Sequence, residues 1–264
     1  MEKNNYDIFG YTEFRKFLSK EKLDFLNSTI DSIKLPEGKL YEDSIFDEDG
    51  TGKIKQIQYL HKLSPVFKEL LDEITPYAQY LTGYQQLDVL NMQLFEKHAE
   101  ISKPTRAHQD NAYFKVSPAH AITFWIALDD IDEQNGCIYY APKTHLTPTR
   151  KHQRYHKDTT FRVRSGVPGL SLCLHEHPEE TDIPMVTKAG DVLAHHCNLV
   201  HRAGRNLSER RRRAIGIAFI PTVCKIDERL NGYHLAQLKE DIELQQIKDP
   251  EMYRKLKKEY TYLF

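Results

Sequence analysis

Ile122-Thr123-Phe124-Trp125-Ile126-Ala127-Leu128 is rich in β-branched and aromatic side chains and stops at the charged pair Asp129-Asp130, so it reads as a short strand. Val89 to Phe95 precedes it, and Cys137 to Ala141, Gly169 to Leu174, Val192 to His196 and Ala214 to Pro221 follow. Between two of these runs, Asn135-Gly136 marks a turn whose glycine supplies a positive φ. Short strands recurring with turns between them, and no strand-helix alternation to build a parallel sheet, predict a sandwich or jelly roll.

Outside these runs the pattern turns helical. Phe14 to Ser32 carries Phe14, Phe17, Leu18, Leu23, Phe25, Leu26 and Ile30 near a 3.6-residue spacing, and Pro65 to Leu81 repeats the pattern ahead of Gly83. Both helices are expected to pack outside a sheet. Tyr41 to Tyr59 is charged, and Asp49-Gly50 followed by Gly52 signals a turn or hairpin. From Asp227 to Phe264, spaced Leu, Ile and Tyr among charges predict one or two amphipathic helices broken near Asp249-Pro250. The expected whole is mainly β with flanking helices, in a single domain 1–264. It comprises a helical region 1–85, a jelly-roll core 86–222 and a helical tail 227–264, and 264 residues suffice for one such core.

Composition narrows the classes. With 40% hydrophobic and 28% charged residues the chain reads as soluble and globular, and a net charge of −1 gives no reason to expect nucleic acid. The basic run Arg210-Arg211-Arg212-Arg213 reads as a partly solvated strand end with one member turned inward. Met1-Glu2-Lys3-Asn4-Asn5 leads into no apolar stretch, and no segment reaches the roughly 20 apolar residues of a membrane span, so a cytoplasmic location is expected. Cys137, Cys173, Cys197 and Cys224 are widely spaced without a Cys-x-x-Cys pair, which predicts buried free thiols over a zinc site or a disulfide scaffold.

The chemistry concentrates in Ala107-His108-Gln109-Asp110-Asn111. Two imidazoles and a carboxylate can occupy one face of an iron(II) ion and leave the other open to a chelating cosubstrate and dioxygen. If His108 and Asp110 sit on or just beyond an extended segment, the period of two turns both to one side. By itself His-x-Asp is weak evidence in a chain with 13 histidines. A second histidine must come from elsewhere, and His195, His196 and His201 all lie downstream. Isolated histidines such as His145, His152 and His175 read as surface or hydrogen-bonded residues.

After His108-Gln109-Asp110 come Trp125 to Asp130, Asn135-Gly136-Cys137, Pro142-Lys143-Thr144-His145, Gly190-Asp191-Val192, and His201 through Asn206 and Ser208 to Arg212-Arg213-Ala214. That order, from about Gln93 to Ala214, resembles the phytanoyl-CoA dioxygenase-like family of iron(II)/2-oxoglutarate oxygenases. A looser match places Phe9-Gly10-Tyr11 ahead of Phe17-Leu18-Ser19. The resemblance implies a double-stranded β-helix, a cupin-like jelly roll, with His108, Asp110 and His201 as iron ligands and 2-oxoglutarate and O2 as cosubstrates. It places the cosubstrate's arginine eleven positions after the distal histidine, at Arg212. A planar, permanently charged fork suits the far carboxylate of 2-oxoglutarate, and strand alternation turns Arg211 and Arg213 away. His195 and His196 are then left as core residues or as residues standing behind a ligand.

The family also places equivalents of Gln93 and Trp125 against the cosubstrate, although the only tryptophan serves equally well as a core anchor. Lys143 departs from the family's Pro-Gly-Ser-His, which bears on that turn's geometry and on no ligand. Because Asp110 is present, halogenation is disfavoured. The expected reaction converts 2-oxoglutarate to succinate and carbon dioxide while a small-molecule substrate is hydroxylated at an unactivated carbon; desaturation, ring closure and epimerisation share its first step. The segment 145–184, inserted between the two halves of the metal site, is the candidate lid. Its basic residues, Arg162 and Arg164 among them, would suit an anionic, carboxylated or phosphorylated substrate, against the alternative of a solvated connection. Two competing readings remain: a zinc-dependent hydrolase using the same His/Asp/His site to activate water, and a non-catalytic cupin-like binding protein.

Overall fold

A computed structural model describes residues 1–33, 44–46, 54–100, 102–154, 170–172, 177, 181–248 and 250–263. Its frame is two antiparallel sheets. The larger has seven strands, in the order Tyr11–Phe14, Val192–His196, Ile122–Ala127, Arg212–Pro221, Leu87–Lys97, Ile54–Ile57 and Ser44–Phe46. The smaller runs Ile183–Met185, Ile138–Tyr140, His201–Ala203 and Thr105–His108. Trp125, Ala127, Leu193 and Ala214 from the first sheet share one buried cluster with Ile138, Tyr140, Met185 and Ala203 from the second. The sheets therefore pack face to face, as the jelly roll requires.

Strand periodicity decides what lies on each side of the larger sheet. Ile122, Phe124, Ile126, Val192, Ala194, Ile215, Ile217 and Phe219 turn outward into a cluster with Leu23, Leu26 and Ile30 of the helix Lys20–Ser32 and with Phe67, Leu70, Ile74 and Ala78 of the helix Pro65–Thr82. Burying each large side chain stabilises the fold by about 1.5–3 kcal/mol, so this layer clamps the helices on. Ser64 caps the second helix, with Pro65 in its first turn, and Gly83 ends it at φ +78°.

The helix expected from Phe14 begins only at Lys20, capped by Ser19. Tyr11–Phe14 is instead an edge strand paired with Val192–His196, and the 1–85 region also supplies Ser44–Phe46 and Ile54–Ile57, an antiparallel pair whose connecting turn lies outside the described residues. Of the run Gly169 to Leu174, residues 170–172 are described, and Leu170–Ser171 form a strand. The tail forms the helices Glu228–Lys248 and Pro250–Glu259, as the proline predicted. Cys137, Cys197 and Cys224 are free thiols; Cys173 lies outside the described residues. Among the described residues no helix is long and apolar enough to cross a membrane.

Candidate metal and cosubstrate site

His108 ends the strand Thr105–His108 and faces His201 across the smaller sheet, as Cα partners in register with their rings 4.2 Å apart. Asp110 arrives differently. It lies two residues past the strand, in helical conformation at the start of the turn Asn111–Phe114. Gln109 between them points away and locks the turn, donating from its amide to Asn198 O at 2.8 Å and accepting from Arg150 N at 2.8 Å. Its backbone N–H donates to His152, which is buried and hydrogen-bonded rather than a ligand.

The protons on both imidazoles can be assigned. His108 Nδ1 lies 2.8 Å from Arg106 O and His201 Nδ1 lies 3.0 Å from Leu199 O. A carbonyl oxygen only accepts, so each Nδ1 carries the hydrogen and each Nε2 is left bare, the state a metal ligand needs. Asp110 Oδ1 stands 3.5 Å from His201 Nε2 and 3.7 Å from His108 Nε2, and the three donor atoms all lie within 4.8 Å of one another. Burial lowers the pKa of both imidazoles. On Asp110 burial acts to raise the pKa, but His201, His195 and His108 hold it well below the usual carboxylate range. At neutral pH the site therefore offers two neutral imidazoles and one carboxylate, a donor set that fits iron(II).

Arg212 opens the strand Arg212–Pro221 and is 2% exposed. Its guanidinium lies over the Trp125 ring at 5.3 Å, and Phe95 packs on the same indole at 5.0 Å. Trp125 is thus both a core anchor and the wall against which Arg212 rests. Nε and Nη1 of Arg212 are buried with no hydrogen-bond partner among the described residues. Burial pushes its pKa down to about 10, which still leaves it charged at neutral pH. An unpaired cation inside a protein is costly by several kcal/mol, and a planar ligand carboxylate would satisfy both orphaned nitrogens. Arg213 turns to the other face, to Glu96 at 2.9 Å and Asp31 at 2.6 Å, and Arg211 lies near Asp129 at 3.7 Å.

Gln93 is on the inner side of its strand, opposite Gly216, but its carbonyl oxygen accepts from Gln56 and, at 3.4 Å, from Asn91. Gly136 has φ +90°, as its turn required, and a Cβ there would meet Gly204 O at 2.8 Å. Lys143 takes up φ +68°, the left-handed conformation that glycine adopts freely, so the turn forms at a cost in backbone strain. Arg162, Arg164 and His175 lie outside the described residues, as does much of 145–184. At the far end of that segment Asp182 is fastened by His177 at 2.9 Å and by Arg202 at 2.7 Å.

Alternation along Val192–His196 separates the two neighbouring histidines. His196 faces outward, near Tyr6 and His145, with ring centroids 6.2 and 5.4 Å away. His195 faces inward, with its Nε2 3.2 Å from Asp110 Oδ2. Thr123 donates to the same oxygen at 2.6 Å, and the Tyr140 hydroxyl lies 2.8 Å from His195 Nδ1. Thr123 shares a face with Trp125, so alternation alone could have found it. Tyr140 comes from the opposite sheet and had no local signal.

The family model for phytanoyl-CoA dioxygenase (PhyH) matches residues 6–214. Phytanoyl-CoA dioxygenase 1 of Oryza sativa is 26% identical over 230 residues, spanning 82% of this chain and 74% of the rice protein. The peroxisomal phytanoyl-CoA dioxygenase of Mus musculus is 29% identical over 178 residues, and the match spans only 51% of its length. Among solved structures, the epimerase SnoN from nogalamycin biosynthesis, in complex with Fe3+, alpha ketoglutarate and nogalamycin RO, superposes with a TM-score of 0.64. That match covers 85% of this chain and 84% of the other at 21% identity, a likeness of fold.

Proposed function

Since the chain belongs to the phytanoyl-CoA dioxygenase family, and with it to the iron(II)- and 2-oxoglutarate-dependent oxygenases, we propose that it hydroxylates an unactivated carbon of a small molecule. In this reading His108, Asp110 and His201 hold iron(II), and Arg212 anchors the far carboxylate of 2-oxoglutarate. The observation that carries it is the charged, buried guanidinium of Arg212, whose Nε and Nη1 have no hydrogen-bond partner among the described residues, in the same fold as a cluster of two neutral imidazoles and a carboxylate. A hydrolase that only activates water has no use for such a cation, and a retained fold without turnover has no reason to leave it unpaired.

Iron(II), 2-oxoglutarate and dioxygen together supply oxidative decarboxylation and hydrogen abstraction from carbon. The chain's own residues do the rest. His108 and His201 present bare Nε2 atoms because backbone carbonyls hold their Nδ1 protons, so no proton must leave an imidazole when the ion arrives. Trp125 and Phe95 form an apolar wall beside Arg212, and excluding water strengthens the charge pairing there. How the substrate is held selects between hydroxylation and the epimerisation named for SnoN.

Anaerobic titration of the metal-free protein with iron(II) and then 2-oxoglutarate tests the reading. The expected result is a weak visible charge-transfer band that appears only with both and is lost in Arg212→Leu. Succinate should then form on admitting oxygen. A protein that binds zinc but gives neither band nor succinate with iron would overturn it. Product analysis with a coupled substrate separates a new hydroxyl from an inverted centre.

A further inference from the structure

The two oxygens of Asp110 keep different company. Oδ1 faces the bare Nε2 atoms of His201 and His108. Oδ2 turns the other way, accepting from Thr123 Oγ1 at 2.6 Å and lying 3.2 Å from His195 Nε2. Behind His195, the hydroxyl of Tyr140 is 2.8 Å from Nδ1. An ionised carboxylate can only accept, so His195 must carry a hydrogen on Nε2. Its Nδ1 meets the Tyr140 hydroxyl, which can serve as either donor or acceptor, so the ring is held at both nitrogens.

The fold holds this chain of donors from both sides. Thr123 and His195 are Cα partners in the larger sheet, while Tyr140 is the Cα partner of His201 in the smaller one. His195 is 1% exposed and Tyr140 is fully buried, so neither has water to turn to. Iron ligation alone does not demand this arrangement, since the three ligands and Arg212 complete the proposed site without it.

We propose that Tyr140, His195 and Thr123 are positioning residues for Asp110: they hold Oδ2 away from the metal position, so that the carboxylate offers Oδ1 alone. This rests on the iron(II) reading of the His/Asp/His cluster. A carboxylate released from these donors can swing to offer both oxygens. The second oxygen would occupy a position that a chelating 2-oxoacid needs. The pair Thr123 and His195 thus preserves the open face of the site.

Cobalt(II), stable in air and coloured according to its coordination number, is the probe. The metal-free protein is titrated with cobalt(II), its affinity measured by competition with a chelator, and 2-oxoglutarate then added. In the wild type the visible spectrum should change on adding 2-oxoglutarate. His195→Leu should weaken cobalt affinity on the order of tenfold or more, the usual scale for removing a hydrogen-bonding partner of a ligand, and should blunt the spectral change. His195→Gln, which keeps an amide donor near the Nε2 position, should recover most of both. Tyr140→Phe should shift the spectrum less than His195→Leu. Thr123→Val, nearly isosteric, carries the same test if His195→Leu does not fold. Wild-type cobalt affinity and spectra in His195→Leu, or in both Thr123→Val and Tyr140→Phe, would overturn the proposal. Failure of the iron reading looks different: wild type and His108→Ala would then bind cobalt equally weakly.

Discussion

Along the strand Ile122–Ala127, Ile122, Phe124 and Ile126 meet the helices while Thr123, Trp125 and Ala127 meet the smaller sheet, and the same split runs through Val192–His196 and Arg212–Pro221. The outward face is apolar at these positions except for His196 and for Arg213, which is paired with Glu96 and Asp31. The inward face carries Thr123, Trp125, His195 and Arg212, of which Arg212 has two buried nitrogens with no hydrogen-bond partner among the described residues. One residue of displacement thus separates side chains that stabilise the fold from side chains that tax it. The outer layer supplies the surplus that lets the inner one keep a charge unpaired.

If that division is real, substitutions on the two faces should have opposite signatures. The largest effect is expected at the ligands. His108→Ala, Asp110→Ala or His201→Ala should abolish iron-dependent succinate formation and stoichiometric iron binding with unchanged circular dichroism. His196→Ala, facing outward, should still bind iron; loss of iron there with retention in His201→Ala would reverse the assignment of the distal histidine. Next comes Phe124→Ala, which should cost about 3–5 kcal/mol in urea unfolding because it empties a packed site, while iron affinity of the folded fraction stays the same.

Arg212 sharpens the contrast. Arg212→Lys keeps the charge and loses the fork, and should weaken 2-oxoglutarate by about 1.5–3 kcal/mol, roughly ten- to a hundredfold, measured against an unchanged iron affinity. Arg212→Met should go further against the cosubstrate yet raise the unfolding midpoint of the ligand-free protein, since it removes a buried unpaired charge. A fall in that midpoint would mean that Arg212 belongs to the stabilising set. The smallest effect is one of pH. Burial lowers His196 to about 3, so in the folded state it stays neutral where the unfolded chain takes up a proton. The unfolded state then binds more protons below about pH 6.5, and stability must fall as pH drops through that value, by about 1.4 kcal/mol per pH unit from this residue. His196→Phe should flatten the stability profile between about pH 6.5 and 5 relative to wild type.

Much of this division was legible in the sequence. The runs Ile122 to Leu128 and Val192 to His196 became strands with nearly those bounds, and alternation through Arg211, Arg212 and Arg213 sent only the middle one inward. Local pattern sufficed because each of these residues is placed by its own strand. Tyr11–Phe14 defeated the same reasoning, since its strand character comes from a partner far along the chain and its aromatic residues blend into the stripe of the following helix. Tyr140 was invisible for a related reason: its meeting with His195 depends on how two sheets stack, which no spacing along the chain encodes.

His108 and His201 face one another across adjacent strands although they lie roughly ninety positions apart, so a single ion held between them would act as a cross-link closing a long loop. Loading the site should therefore do what a disulfide does in a secreted protein: it should slow the separation of these two strands of the smaller sheet and make resistance to proteolysis depend on the supply of iron as much as on the chain itself.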